Sequence, residues 1–149
     1  MKIVPYARKA QFYETDQMGV IHHAHYIHWF EEARVDFLAQ IGFPYERVES
    51  LGITFAVLEL SCRYKSPVRF GDTVHILVGL AACSHSQMTL DYRVTDAVTG
   101  ELRTTGETRH YFFRKEDARP VSLKKAIPDL YDLFRGLSGE ARGQTRDVP

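Results

Sequence analysis

The sequence predicts an α+β fold, a curved antiparallel five-stranded sheet wrapped around one long central helix. Three observations predict it. Residues 24–41 carry apolar side chains at helical spacing, and the first half of that run is apolar nearly all round. A first alternating segment precedes it, and four more segments of period two follow it, joined by short turns. A meander of antiparallel strands has one face to bury, and an enclosed helix needs a covering, so each meets the need of the other.

The elements follow in chain order. Residues 5–13 alternate, with Tyr6, Arg8, Ala10 and Phe12 on one side, and read as the first strand. The turn-forming residues Asp16 to Gly19 end it. On the helix, Ile27, Phe30, Arg34, Phe37, Leu38 and Ile41 form one stripe, widened by Tyr26, Trp29 and Ala33. Gly42 is placed to stop this helix and Pro44 follows, with a short helical turn expected over 44–51. After Gly52 the period becomes two: Ala56, Leu58, Leu60, Cys62 and Tyr64 lie on one face, until Pro67 and Gly71-Asp72 break the run. Val74, Ile76, Val78, Leu80 and Ala82 make the next apolar face, and Met88, Leu90, Tyr92 and Val94 the one after. Asp96 to Gly100 reads as a hairpin turn. The strand over 101–114 puts small residues, Thr104, Gly106 and Thr108, on one face, where a helix can approach closely. A terminal helix is expected over 123–135, with Ser122 as its cap and Pro128 delaying or kinking it. Residues 1–135 thus form a single domain and 136–149 a mobile, polar, glycine-containing tail.

Composition narrows the functional classes. The chain has 149 residues, enough for one real core, and 44% of them are hydrophobic. Nineteen basic residues balance nineteen acidic ones, so no whole-protein field is present to gather nucleic acid or an anionic membrane. No apolar run reaches the length of a membrane span. The N-terminus lacks the apolar core of a secretory signal, and Cys62 and Cys83 are the only cysteines. Two thiols without metal-ligand spacing are most simply reduced core residues, which points to the cytoplasm.

The chemistry-bearing stretch runs from Tyr13 to Tyr26. It sets Asp16, a turn with Gly19, and His22, His23 and His25 just before the long helix. A helix start offers free backbone N–H groups and the positive end of the peptide dipole. An acid held beside it can act on a carbonyl whose oxygen is becoming an oxyanion.

The pattern Tyr13-x-x-Asp16-x-x-Gly19-Val20-x-x-His23-Ala24-x-Tyr26, then Phe30-x-x-Ala33-Arg34, resembles the hot-dog fold acyl-CoA thioesterases. The resemblance is nearest to the 4-hydroxybenzoyl-CoA thioesterase branch, including its Tol-Pal-associated members. It covers residues 6–116, and Tyr64-x-x-Pro67-x-x-x-Gly71-Asp72-x-Val74 supports it. It implies that Asp16 is catalytic and that the backbone N–H of His23 polarises the thioester carbonyl. Gly19, Val20, His22 and Tyr26 then become the substrate-binding positions. Many members read Tyr-His-Ala-Asn-Tyr where this chain reads His22-His23-Ala24-His25-Tyr26. The resemblance also implies a homodimer or homotetramer and an acyl-CoA or acyl-carrier-protein substrate.

Thioester hydrolysis needs no metal or redox cofactor. Asp16 could attack directly to give a mixed anhydride, or act as base on water. An oxyanion donor is worth about 3–4 kcal/mol in the transition state. Taken alone, Asp16 reads first as a turn residue, because Asp-x-x-Gly is common turn chemistry, and the surrounding pattern reverses that order. The spacing of His22, His25 and His28 allows i, i+3 pairs but not His-Glu-x-x-His, and no metal site is expected. Glu31 and Glu32 read as surface residues that pair with Arg34 or other basic neighbours, with Glu31 the fallback acid. Arg63, Lys65, Arg69 and Arg109 read as solvated residues before they read as phosphate contacts. Hot-dog hydratases pair Asp-x-x-x-x-His, but the residue five beyond Asp16 is Ile21. A non-catalytic acyl-thioester binding module is the remaining alternative.

Overall fold

The computed structural model describes residues 2–144, with side chains through residue 139. The strands are β1 (Tyr6–Lys9), β2 (Ile53–Tyr64), β3 (Thr73–Cys83), β4 (Gln87–Asp96) and β5 (Leu102–Arg114). The helices are α1 (His25–Gln40), α2 (Tyr45–Ser50), α3 (Leu123–Ala126) and α4 (Pro128–Gln144). The five strands form one sheet in the order β1-β3-β4-β5-β2, which leaves β1 and β2 at its edges.

The chain divides into two compact units. The first holds the chain up to Pro44, with Cys62–Val78 and Tyr92–Gly106; the second holds Tyr45–Ser61, Gly79–Asp91 and the chain from Glu107 onward. Each of β2 to β5 therefore gives part of its length to each unit.

In the first unit, β1 pairs antiparallel with β3, Tyr6 opposite Ile76 and Lys9 opposite Thr73. The strand ends at Lys9, short of the expected Tyr13, and Phe12–Glu14 form a 3-10 turn. The reason is Glu14, which is buried and draws the chain inward. Helix α1 buries Tyr26, Trp29, Phe30, Ala33, Phe37 and Leu38. Ile27, expected on the core stripe, is 40% exposed. Trp29 and Tyr26 hold the buried positions that a stripe through Ile27 would have filled. Phe30 stacks on Tyr92 with ring centroids 4.4 Å apart, and the Arg34 guanidinium donates to the Tyr92 hydroxyl at 3.3 Å. Gly42 (φ +87°) ends the helix: its N–H donates to the Ala39 carbonyl, and the Phe43 N–H reaches back to Leu38. Reciprocal bonds join Val4 to Gln40, backbone to side-chain amide, both at 2.8 Å.

In the second unit, Phe55 meets Phe112 edge-on at 5.3 Å and Phe134 at 6.4 Å. Leu123, Leu130 and Phe134 are fully buried. Ser122 occupies the cap position of α3, but its side chain makes no capping bond; the Leu123 N–H is taken by the His85 carbonyl instead. Pro128 starts a separate helix rather than kinking one. That helix passes residue 135 and reaches Gln144, because Leu130, Phe134 and Ser138 recur on one buried face. Residues 145–149 of the expected tail lie outside the described residues.

On β4 and β5 burial follows the alternation, but on the edge strand β2 it does not: Leu58 and Tyr64 of the expected apolar face are exposed, as is Val57 on the other. Met88, Leu90, Tyr92 and Val94 are buried, as are Thr104 and Thr108 on β5. On β3 the alternation holds through Leu80 and then slips, so that Cys83 is buried and Ala82 is exposed. Both cysteines are free thiols. Among the described residues, no helix is long and apolar enough to cross a membrane.

Candidate active site

The candidate site lies wholly in the first unit, where the chain turns from β1 into α1. Thr15 and Ile21 form an isolated antiparallel bridge, and between them Asp16 to Val20 make a tight loop. The Asp16 N–H donates to the Val20 carbonyl at 2.9 Å, and the Gly19 N–H donates back to the Asp16 carbonyl at 3.0 Å. Gly19 adopts φ +77°, a conformation that costs other residues about 1–2 kcal/mol. The loop is anchored on both sides: the Ile21 N–H donates to the Val68 carbonyl and the His22 N–H to the Glu14 carbonyl, each at 2.8 Å.

The Asp16 carboxylate is half-buried. Its Oδ1 accepts the Met18 N–H at 2.8 Å, so the turn role and the site role coexist. Among the described residues nothing donates to Oδ2. The free oxygen belongs to a residue that lines a cavity of about 270 Å3, shared with Met18, Val20, Ile21, His23 and Tyr26 from the same segment. Tyr64, Lys65, Ser66 and Pro67 close it from the end of β2 and the following turn.

The helix start is dressed in an unusual way. Ala24 sits at the cap position of α1 and offers no side-chain acceptor. The imidazole of His22 does this work instead, with Nδ1 accepting the Ala24 N–H at 3.1 Å. That bond requires an unprotonated Nδ1, so the neutral ring carries its proton on Nε2. The His22 and His23 rings stack with centroids 4.1 Å apart. The Tyr64 hydroxyl donates to the His23 carbonyl at 2.7 Å. Among the described residues the His23 N–H has no acceptor. Partial burial and the neighbouring Cys62 thiol push the Tyr64 phenol above its ordinary range.

The structure thus brings Asp16, Val20, His23 and Tyr26 to one cavity. Gly19 and His22 stand behind it, one shaping the loop and the other holding the helix start. Tyr26 is 2% exposed overall yet lines the cavity; burial raises its phenol pKa. His25 and His28 face each other, Nδ1 to Nδ1 at 3.4 Å, an arrangement in which one ring donates to the other. Among the described residues, no group of three or more His, Cys, Asp or Glu side chains is arranged to hold a metal ion. Glu32 pairs with Arg8, not Arg34, at 3.2 Å, and Glu31 is exposed.

Sequence reasoning passed over two residues. Glu14 is 1% exposed and accepts from Arg8, the Gln11 N–H and the Trp29 indole. Its signal was its place two residues before Asp16, beside an otherwise apolar helix. Tyr64 reads from sequence as a face residue of its strand and as part of a supporting pattern, and nothing local in its strand announces a hydroxyl aimed 41 residues back along the chain.

A sequence profile described as the thioesterase-like superfamily matches residues 10–130. The structure is similar to that of a DHNA-CoA thioesterase from Staphylococcus aureus, with TM-score 0.88, 28% identity, and coverage of 98% of this chain and 96% of that one. It is also similar to protein TT1821 from Thermus thermophilus, with TM-score 0.79, 39% identity, and coverage of 92% and 98%. The acyl-CoA thioester hydrolase YbgC of Escherichia coli O6:H1 is 24% identical over 89 residues, 60% of this chain and 66% of that protein. The cavity sits at the very segment that carries the hot-dog motif, and the profile spans both. The chain belongs to the thioesterase-like superfamily and has its hot-dog fold.

Proposed function

We propose that this chain hydrolyses an acyl-CoA or acyl-carrier-protein thioester to free acid and thiol. One observation carries the reading: a carboxylate with one unengaged oxygen and an unengaged backbone N–H at a helix start belong to residues that line the same largely apolar cavity. The thioester carbonyl oxygen lies at the His23 N–H, where the helix dipole and the donor meet the growing charge. Asp16 acts in one of two ways. As nucleophile, its free oxygen bonds to the acyl carbon, the C–S bond breaks, thiolate leaves, and water then hydrolyses the mixed anhydride. As base, it takes a proton from the water that attacks the same carbon. Val20 and Tyr26 shape the acyl end, while Gly19 and His22 fix the wall from behind.

Within the superfamily we place the chain in the 4-hydroxybenzoyl-CoA branch, on the strength of Tyr13-x-x-Asp16 and His23-Ala24-x-Tyr26. It acts as a homodimer or homotetramer: β2 is an edge strand and exposes Val57 and Leu58, an apolar rim suited to a second copy. The two free thiols fit a reducing compartment, the cytoplasm.

The test is thiol release from a panel of short, long and aromatic acyl-CoAs, run on the wild type and on Asp16→Asn. Turnover by the wild type and its collapse in the variant, with thioester binding retained, supports the reading. Binding without hydrolysis in the wild type would instead mark a binding module.

A further inference from the structure

One peptide group at the start of α1 is held at both ends. Its carbonyl, that of His23, accepts the Tyr64 hydroxyl at 2.7 Å. Its N–H, that of Ala24, donates to His22 Nδ1 at 3.1 Å. His23 stands just before the cap residue Ala24, so its carbonyl lies outside the helix ladder, and the Ile27 N–H turns to Ala24 at 3.3 Å. Tyr64 supplies the donor that the helix does not. His23 contributes to two successive peptide groups. The first carries the unengaged His23 N–H, and its own carbonyl, that of His22, accepts the His25 N–H at 3.0 Å; pinning the second by Tyr64 and His22 fixes the other side of His23 and so narrows the rotation left to the first. The ring of His23 is also fixed, stacked on His22 at 4.1 Å and set edge-on to Tyr64 at 6.5 Å.

We propose that Tyr64 is a positioning residue that aims the His23 N–H into the cavity lined by Asp16, with His22 as the second clamp on the same peptide. The inference rests on the thioesterase reading. Tyr64 acts from the end of β2, so its one bond ties that strand to the helix start. An oxyanion donor works only if it is aimed before the reaction, because reorienting it during the reaction costs the energy it would supply. Tyr64 holds that aim without passing a proton, and its raised pKa suits a permanent donor.

The test compares Tyr64→Phe, His22→Phe and His22→Asn with the wild type, on the acyl-CoA of the panel that the wild type turns over fastest. Tyr64→Phe keeps the ring and its contacts but removes the donor; it should lower kcat about tenfold or more while KM stays within about twofold. His22→Phe keeps a stacking ring but loses the acceptor, and should lower kcat in the same way. His22→Asn restores an acceptor to the N–H two residues on, as Asn does in turns, and should recover kcat. A second readout uses Asp16→Asn with that acyl-CoA bound: the thioester carbonyl stretch should lie below its solution value and return toward it when Tyr64→Phe is added. Unaltered kcat and carbonyl stretch in Tyr64→Phe overturn the inference while the wild-type turnover keeps the thioesterase reading. No turnover by the wild type across the panel removes both.

Discussion

The Trp29 indole donates to Glu14 Oε2 at 2.8 Å, in the interior of the first unit. The same carboxylate accepts two guanidinium bonds from Arg8, at 2.9 and 3.2 Å, and the Gln11 N–H at 2.8 Å. Arg8 also lies over the Trp29 ring, 5.7 Å from its centroid. Glu14 thus ties β1, the approach to the Asp16 loop and the second turn of α1 together, and its carbonyl holds the His22 N–H. Removing it leaves Arg8, with a side chain only 15% exposed, without its closest carboxylate. Glu14→Ala should cost about 3–5 kcal/mol, read from the midpoint of urea unfolding. Glu14→Gln keeps two of the geometric roles and should cost less.

Asp16→Asn should lower kcat/KM by about 10²–10⁴-fold, the span typical of a lost acid–base group. The amide oxygen can still accept the Met18 N–H, so the loop keeps its shape and the melting temperature should hold. Calorimetric titration with the preferred acyl-CoA should show affinity within a few-fold of the wild type.

Gly19→Ala meets no atom within 4 Å, so its cost is purely one of backbone conformation. At φ +77° that cost is about 1–2 kcal/mol. Relief of the strain shifts the Asp16 loop, and kcat should fall more than thermal stability does, as steady-state kinetics beside a melt would show.

The hairpin after β4 should fail in acid. N–H bonds from Thr99 and Val98 hold the Asp96 carboxyl down at about 2, with help from Arg103. A depressed folded-state pKa stabilises above the unfolded value of 3.8 and loses that stabilisation as pH falls toward about 2. Urea midpoints should therefore decline through that window, and Asp96→Asn should flatten the decline.

Leu58→Lys places a charge on the exposed edge of β2. Light scattering behind size-exclusion chromatography should then show the assembly shifted toward monomer, with the fold retained by circular dichroism.

The parts of the molecule that were readable from sequence are those built from local pattern. The β4 alternation from Met88 to Val94 survives into burial because each residue answers only to its own strand. Asp16 and His23 are separated by one short loop, so motif and geometry coincide. What escaped depends on distant partners. Glu14 looks like a surface charge until Arg8 and Trp29 close around it. Ile27 looks like core because periodicity counts apolar residues without knowing which flank the sheet will cover. The polar, glycine-containing stretch from Gly136 reads as tail, yet α4 continues through Gly136 and Gly139, because its buried face outweighs about 1 kcal/mol per glycine.

The bond from the Met18 N–H to one carboxylate oxygen makes the two oxygens of Asp16 inequivalent. The two oxygens can trade places only through a half-turn of the carboxyl group, which breaks the Met18 bond, so a released loop and a flipped carboxyl are one and the same event.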